Sequence, residues 1–144
     1  MINLFCATLA FMAVFPTDSA EYERLNTLVV SIQNINSSKG NIHVALYDAE
    51  NNFLKTHLQG RTTSADKGSV HIFFEGLAPG EYALAVIHDS NENGVLDTNL
   101  LGMPKEGFGF SNDGLGRFGP PAFDKVKFTW CGERETVVVR LKYL

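Results

Sequence analysis

The sequence is poor in the residues on which most metal and nucleic-acid chemistry depends. Its 144 residues include two Cys, four His, and 12 Lys and Arg against 16 Asp and Glu, for a net charge of -4. No cluster of Lys or Arg exceeds what a solvated surface carries, and phosphate backbones demand a basic face, so nucleic acid is excluded as a partner. There is no Cys-x-x-Cys pair, no His-x-His pair and no His-Glu-x-x-His helix. That removes the ordinary zinc frameworks. Internal repeats, low-complexity tracts and long amphipathic helices are lacking beyond the N-terminal stretch. One Trp stands against eleven Phe and 13 Gly, a balance that favours strands and turns because aromatics pack on pleated surfaces and Gly punctuates loops.

What is present suits one globular domain: 44% of residues are hydrophobic and 19% charged, and a chain of this length buries roughly two-thirds of its unfolded surface around a single core. The exception is the beginning. Met1 to Phe15 is an almost unbroken apolar run, followed by Pro16, a polar stretch, and Ala20 before Glu21-Tyr22-Glu23. This predicts an export signal over residues 1–20 and a single domain over 21–144, periplasmic or secreted. The run falls short of the ~20 apolar residues that a stable membrane span needs. It also departs from the usual signal, since it has no Lys or Arg ahead of the apolar run and Asp18 stands where a small residue is preferred. Cleavage would remove Cys6 and leave Cys131 alone, without an internal disulfide, as a small buried hydrophobe behind Trp130.

Alternation then marks strands. Leu28, Val30 and Ile32 share one face of the first, and Ile42, Val44 and Leu46 one face of the second, which the polar run 36–40 joins to it as a hairpin. Residues 49–68 are polar and poorly periodic, suited to one short helical turn or an irregular crossover. Val70, Ile72 and Phe74 mark a third strand, and the Pro79-Gly80 turn leads into Tyr82 to His88, apolar on both faces as in a central strand covered on both sides. Phe123 to Trp130 and Glu135 to Tyr143 read as a closing hairpin around residues 131–134. Six strands joined mostly by turns predict an all-β fold, an antiparallel two-sheet sandwich, Ig-like or prealbumin-like, with one long Gly-rich loop.

That loop, Asp89 to Pro121, has 33 residues with seven Gly and three Pro, far longer than structureless connections usually are, and so it is where function is sought. Its first part places oxygen-bearing residues at alternate positions and Gly at the sixth, the opening of a calcium loop. Asp89, Asn91, Asn93, the Val95 carbonyl and Asp97 are the candidate metal ligands. The twelfth position holds Leu100 where a bidentate Glu belongs, so any Ca²⁺ site would be weak and structural, with Asn99 or Glu106 supplying further oxygens. The alternative is an ion-free turn in which Asp and Asn side chains bond their own backbone. The second part interleaves aromatics with glycines. Phe108 and Phe110 form either a ligand platform or a seal over the sandwich end, and His88, Lys105, Glu106 and Asn112 complete the candidate ligand or partner surface. His88 precedes Asp89 at a strand end, where it is either a hydrogen-bonded structural residue or a group able to ligate a metal or poise a carboxylate. His43 and His71 fall on the less apolar faces of their strands, where solvent exposure is the expectation.

Three segments occur together and in order: Leu77-Ala78-Pro79-Gly80-Glu81-Tyr82-Ala83, His88-Asp89 through Asp97-Thr98-Asn99, and Pro104 through Asn112. On these the chain resembles the bacterial domain-of-unknown-function family 2141, from about Thr27 to Tyr143. The resemblance implies an exported β-sandwich, similar in character to prealbumin-like and carboxypeptidase-regulatory-like modules, with no known reaction and no catalytic residues to carry over. The chain is therefore expected to be a non-enzymatic module that binds an unknown protein or glycan of the cell envelope. The alternative is a small-molecule hydrolase of prealbumin-like type using His88. Against it, the closing Tyr-Arg-Gly-Ser motif of that group is missing, the chain ending Arg140-Leu141-Lys142-Tyr143-Leu144.

Overall fold

A computed structural model describes residues 26–144; the leader expected over residues 1–20 lies outside the described residues. In chain order the strands are β1 (Leu28–Ile35), β2 (Asn41–Tyr47), β3 (Gln59–Ser64), β4 (Gly68–Phe74), β5 (Gly80–Asp89), β6 (Gly107–Phe110), β7 (Phe128–Trp130) and β8 (Glu135–Arg140). One α-helical turn, α1 (Phe123–Val126), precedes β7, and 3₁₀ turns occupy Glu50–Asn52 and Ser111–Asp113. No helix among the described residues is long and apolar enough to cross a membrane.

The strands form two layers, as expected of a sandwich. The smaller sheet has the order β4-β1-β8, and the larger β3-β2-β5-β6, with β7 paired to the start of β5. Leu28, Val30 and Ile32 of β1 meet Ile42, Val44 and Leu46 of β2 and Leu84 and Val86 of β5 in one core that includes the fully buried Trp130. Each such aliphatic side chain contributes about 1.5–3 kcal/mol by leaving water. The faces read from alternation are the faces that are buried.

The arrangement differs from the expectation in three places. β1 and β2 are not a hairpin: β1 pairs antiparallel with β4 and parallel with β8, while β2 pairs with β3 and β5. A hairpin would set the two apolar faces side by side, whereas a two-layer core needs them opposed, so residues 36–40 cross between layers. Gly40, with φ +71°, makes that crossing tight enough that a Cβ there would collide with the Asp89 carbonyl oxygen. β7 and β8 are likewise no hairpin, since β7 pairs with β5 and β8 with β1. The expected strand start at Phe123 is instead α1, whose Phe123 and Val126, three apart, are buried together.

Two strands escaped the sequence reading. β3, Gln-Gly-Arg-Thr-Thr-Ser, is an edge strand and almost wholly exposed, and polar composition is what an edge without aggregation requires. β6, Gly-Phe-Gly-Phe, lies inside the segment read as a loop. Its glycines weaken the strand signal, yet Gly107 packs against the Tyr143 ring and Gly109 against the Arg140 carbonyl, leaving neither room for a side chain. Cys131, expected to be buried and solitary, is exposed and does not carry a free thiol.

Candidate functional site

The outer face of the large sheet, turned away from the main core, gathers several of the candidate residues. Alternation along β5 sends Leu84, Val86 and His88 to one side and Ala83, Ala85, Ile87 and Asp89 to the other. At one end of this outer face Tyr47, Phe53, Ala83, Phe110, Phe123 and Val126 make a second, smaller core, with Phe53 edge-on to Tyr47 at 5.2 Å and to Phe123 at 5.8 Å. Ser111, fully buried, ties this end together. Its hydroxyl accepts from the Leu84 N–H at 2.9 Å and donates to the Val126 carbonyl at 2.5 Å.

At the other end Asp89 closes β5, 1% exposed. Its carboxylate accepts from Asn93 N–H (3.2 Å), Gly94 N–H (2.8 Å) and His43 Nε2 (3.1 Å). Burial alone would raise its pKa, but the bonds from Gly94, His43 and Asn93 outweigh it and hold the group below its ordinary value. The carboxylate only accepts, so His43 Nε2 carries a proton, and Nδ1 in turn lies 2.9 Å from the Thr62 hydroxyl on β3. The expectation that His43 is merely solvated is corrected: it bridges an edge strand to the root of the loop.

The expected ligands do converge. The amides of Asn91 and Asn93 donate to the two oxygens of Asp97, at 2.5 and 2.8 Å. Their own oxygens accept backbone N–H groups of Asn93 and Val95, the self-bonded turn that was the alternative to an ion. Glu106, 7% exposed, closes the turn by accepting from Ser90 N–H and Asp97 N–H, while Lys105 N–H donates to the Asp97 carbonyl at 2.8 Å. Among the described residues no group of three or more His, Cys, Asp or Glu is disposed to hold a metal ion. Every side-chain oxygen that the motif would offer Ca²⁺ already accepts a hydrogen bond within the turn.

His88, 1% exposed, sits on the opposite side of β5. Its Nε2 is 2.7 Å from the Lys39 carbonyl, which only accepts, so Nε2 carries the proton and Nδ1 receives the Tyr143 hydroxyl at 2.8 Å. Asn36 N–H donates to that same hydroxyl. Burial raises the Tyr143 pKa, offset in part by the Asn36 bond. His88, Lys105, Glu106 and Tyr143 line a polar cleft of about 300 Å³, but both imidazole nitrogens are already committed.

A larger cavity, about 740 Å³, opens over the middle of the outer face. Its floor is Ala85, Ile87, Phe108 and Phe110; residues 96–104 form one wall and 115–120 the other. Ala85, small beside Ile87 and the two Phe rings, leaves the trough, and β6 divides the long segment into the two walls. The walls keep large apolar side chains in water: Leu101 is 84% exposed, Phe118 96%, and Met103 and Leu115 46% each. Thr62, at the end of the Asp89–His43–Thr62 string, lines neither of these cavities.

The candidate residues therefore divide. Asp89, Asn91, Asn93 and Asp97 interlock in the polar turn, with Val95 entering through its N–H; Phe108 and Phe110 floor the apolar cavity; His88, Lys105 and Glu106 border the polar cleft. Asn112 joins neither cavity, its amide donating to the Lys127 carbonyl at 2.7 Å. Missed from the sequence were His43 and the walls of the cavity, although Leu100-Leu101 and Phe118, stranded in Gly- and Pro-rich chain without periodicity, were a readable sign of apolar side chains with no core to enter. Comparison with curated proteins and with solved structures yields no match. Family models do yield one, over residues 30–138, and on that match the chain belongs to the family described as uncharacterized protein conserved in bacteria (DUF2141).

Proposed function

We propose that this chain is an exported, non-enzymatic β-sandwich of the bacterial cell envelope that binds a small apolar ligand on the outer face of its large sheet. One observation carries the reading. A cavity of about 740 Å³, within the range of small-molecule sites, is walled by leucine, methionine and phenylalanine side chains that water would otherwise meet. Contiguous apolar surface left exposed marks a place where something binds. Export is supported by the apolar leader ahead of residue 21 and by the family resemblance. Absence of catalysis is supported by the commitment of both His88 nitrogens and by the position of Thr62 outside both described cavities. Titration with the neutral dye N-phenyl-1-naphthylamine tests the reading: saturable, one-to-one fluorescence enhancement is expected, and a linear, unsaturable response would dismiss it.

A second reading concerns the polar turn. Because the Asn91 and Asn93 amides both meet Asp97 while Asp89 holds the backbone of the same turn, a half-turn of each amide would present oxygen in place of N–H and create a weak Ca²⁺ site that stiffens the cavity wall. Thermal unfolding with and without millimolar Ca²⁺ decides between the ion and the self-bonded turn, an unchanged melting temperature discarding the ion.

A further inference from the structure

We infer that the occupant of the apolar cavity is a single-chain amphiphile with an anionic head, a long-chain carboxylate being the simplest case; this rests on the reading of the cavity as a ligand site. The charge of the lining carries it. In a chain of net charge -4, the only charged side chains among the described residues that line the cavity are Arg117 and Lys142, and no described acidic side chain reaches it. Among the described residues neither cation has a carboxylate within 4.0 Å, whereas Arg140 faces Asp113 and Lys127 faces Glu81 and Asp124.

Their placement is also fixed by the fold. Lys142 and Phe108 exchange two backbone hydrogen bonds, at 2.8 and 3.0 Å, which pins the lysine beside the cavity floor. Its neighbours are taken elsewhere, Leu141 in the main core and Tyr143 against His88, so alternation turns Lys142 to the cavity side. Among the described residues Thr98 is the one uncharged polar side chain in the lining. A sugar or peptide would leave most of its polar groups without partners there. A purely apolar ligand would ignore the two cations. A carboxylate at the mouth with its chain over Ala85, Phe108 and Met103 satisfies both, the guanidinium offering a paired donor geometry and methionine adapting to the chain.

Displacement of bound N-phenyl-1-naphthylamine by dodecanoate, dodecanol and dodecyltrimethylammonium, each below its micelle concentration, tests this. Dodecanoate is expected to displace best and the cation worst, with each added methylene tightening carboxylate binding about fourfold until the cavity fills. Arg117→Gln and Lys142→Gln, both at exposed positions, are expected to weaken dodecanoate about three- to tenfold and to weaken the dye and dodecanol by a smaller factor, an equal loss for all three ligands overturning the anionic head. Dye that binds but is displaced equally by all three amphiphiles overturns the anionic head and leaves the cavity reading standing. Dye that never binds saturably removes both. Protein that floats with phosphatidylglycerol vesicles while dodecanoate fails to displace the dye overturns the inference in favour of a membrane surface.

Discussion

The two faces of β5 carry the same strand to opposite ends. On the inner face Leu84 and Val86 are almost fully buried in a core shared by both sheets. On the outer face Ala83 is covered by the smaller aromatic core, whereas beyond it Ala85 replaces such bulk, Ile87 stays partly open, and the space above is left to two loop walls. Both faces are apolar, but apolarity with volume makes a core and apolarity without it makes a trough. The polar ends follow the same division: His88 on the inner side is locked between Lys39 and Tyr143, and Asp89 on the outer side anchors the turn from which the first cavity wall departs.

The comparison breaks most violently if the inner face is emptied. Leu84→Ala is expected to cost about 2–5 kcal/mol, read as a fall in the urea midpoint. The same measurement on Ser111→Ala should give about 1–3 kcal/mol, because the Leu84 N–H and Val126 carbonyl lose their shared buried partner. Asp89 supplies a pH test. Its folded pKa lies below the ordinary value of 3.8, so the unfolded chain binds its proton first, and the stability it contributes is fully present above that value and drains away as pH falls through the folded one. Asp89→Asn should remove this component and flatten the acid limb of a stability-against-pH curve. The exposed Asp113–Arg140 pair sits at the small end, with Arg140→Gln expected to change stability by less than about 1 kcal/mol and by still less in high salt. Smallest of all in stability, though not in binding, should be Ala85→Leu: a melting temperature within a few degrees of the parent, with loss of saturable dye binding because the side chain fills the trough.

How far the sequence could be read depends on which interactions announce themselves locally. The buried faces of β1, β2 and β5 were legible because alternation is a property of neighbouring residues. The partners of β1 were not, since β4 and β8 are distant in the chain and nothing in their periodicity names a neighbour. β3 was hidden by its polarity and β6 by its glycines, both of which serve the strand's position rather than its propensity. In the candidate site, the spacing of Asp89, Asn91, Asn93 and Asp97 foretold that they would meet around Gly94. It did not foretell His43, which reaches Asp89 only because β2 lies beside β5. The cavity was the least legible feature, because its floor comes from β5 and β6 and its walls from two loop segments, each unremarkable alone.

Local chemistry by itself determined that this chain would be a β-sandwich with a glycine-bent polar turn, because alternation, turn residues and side-chain-to-backbone bonding act over a few residues. Tertiary structure alone decided that β1 would lie between β4 and β8, that His43 would hold Asp89, and that Arg117 and Lys142 would share one apolar hollow. These are contacts between chain segments far apart in sequence, and they exist only once the layers have closed on their core.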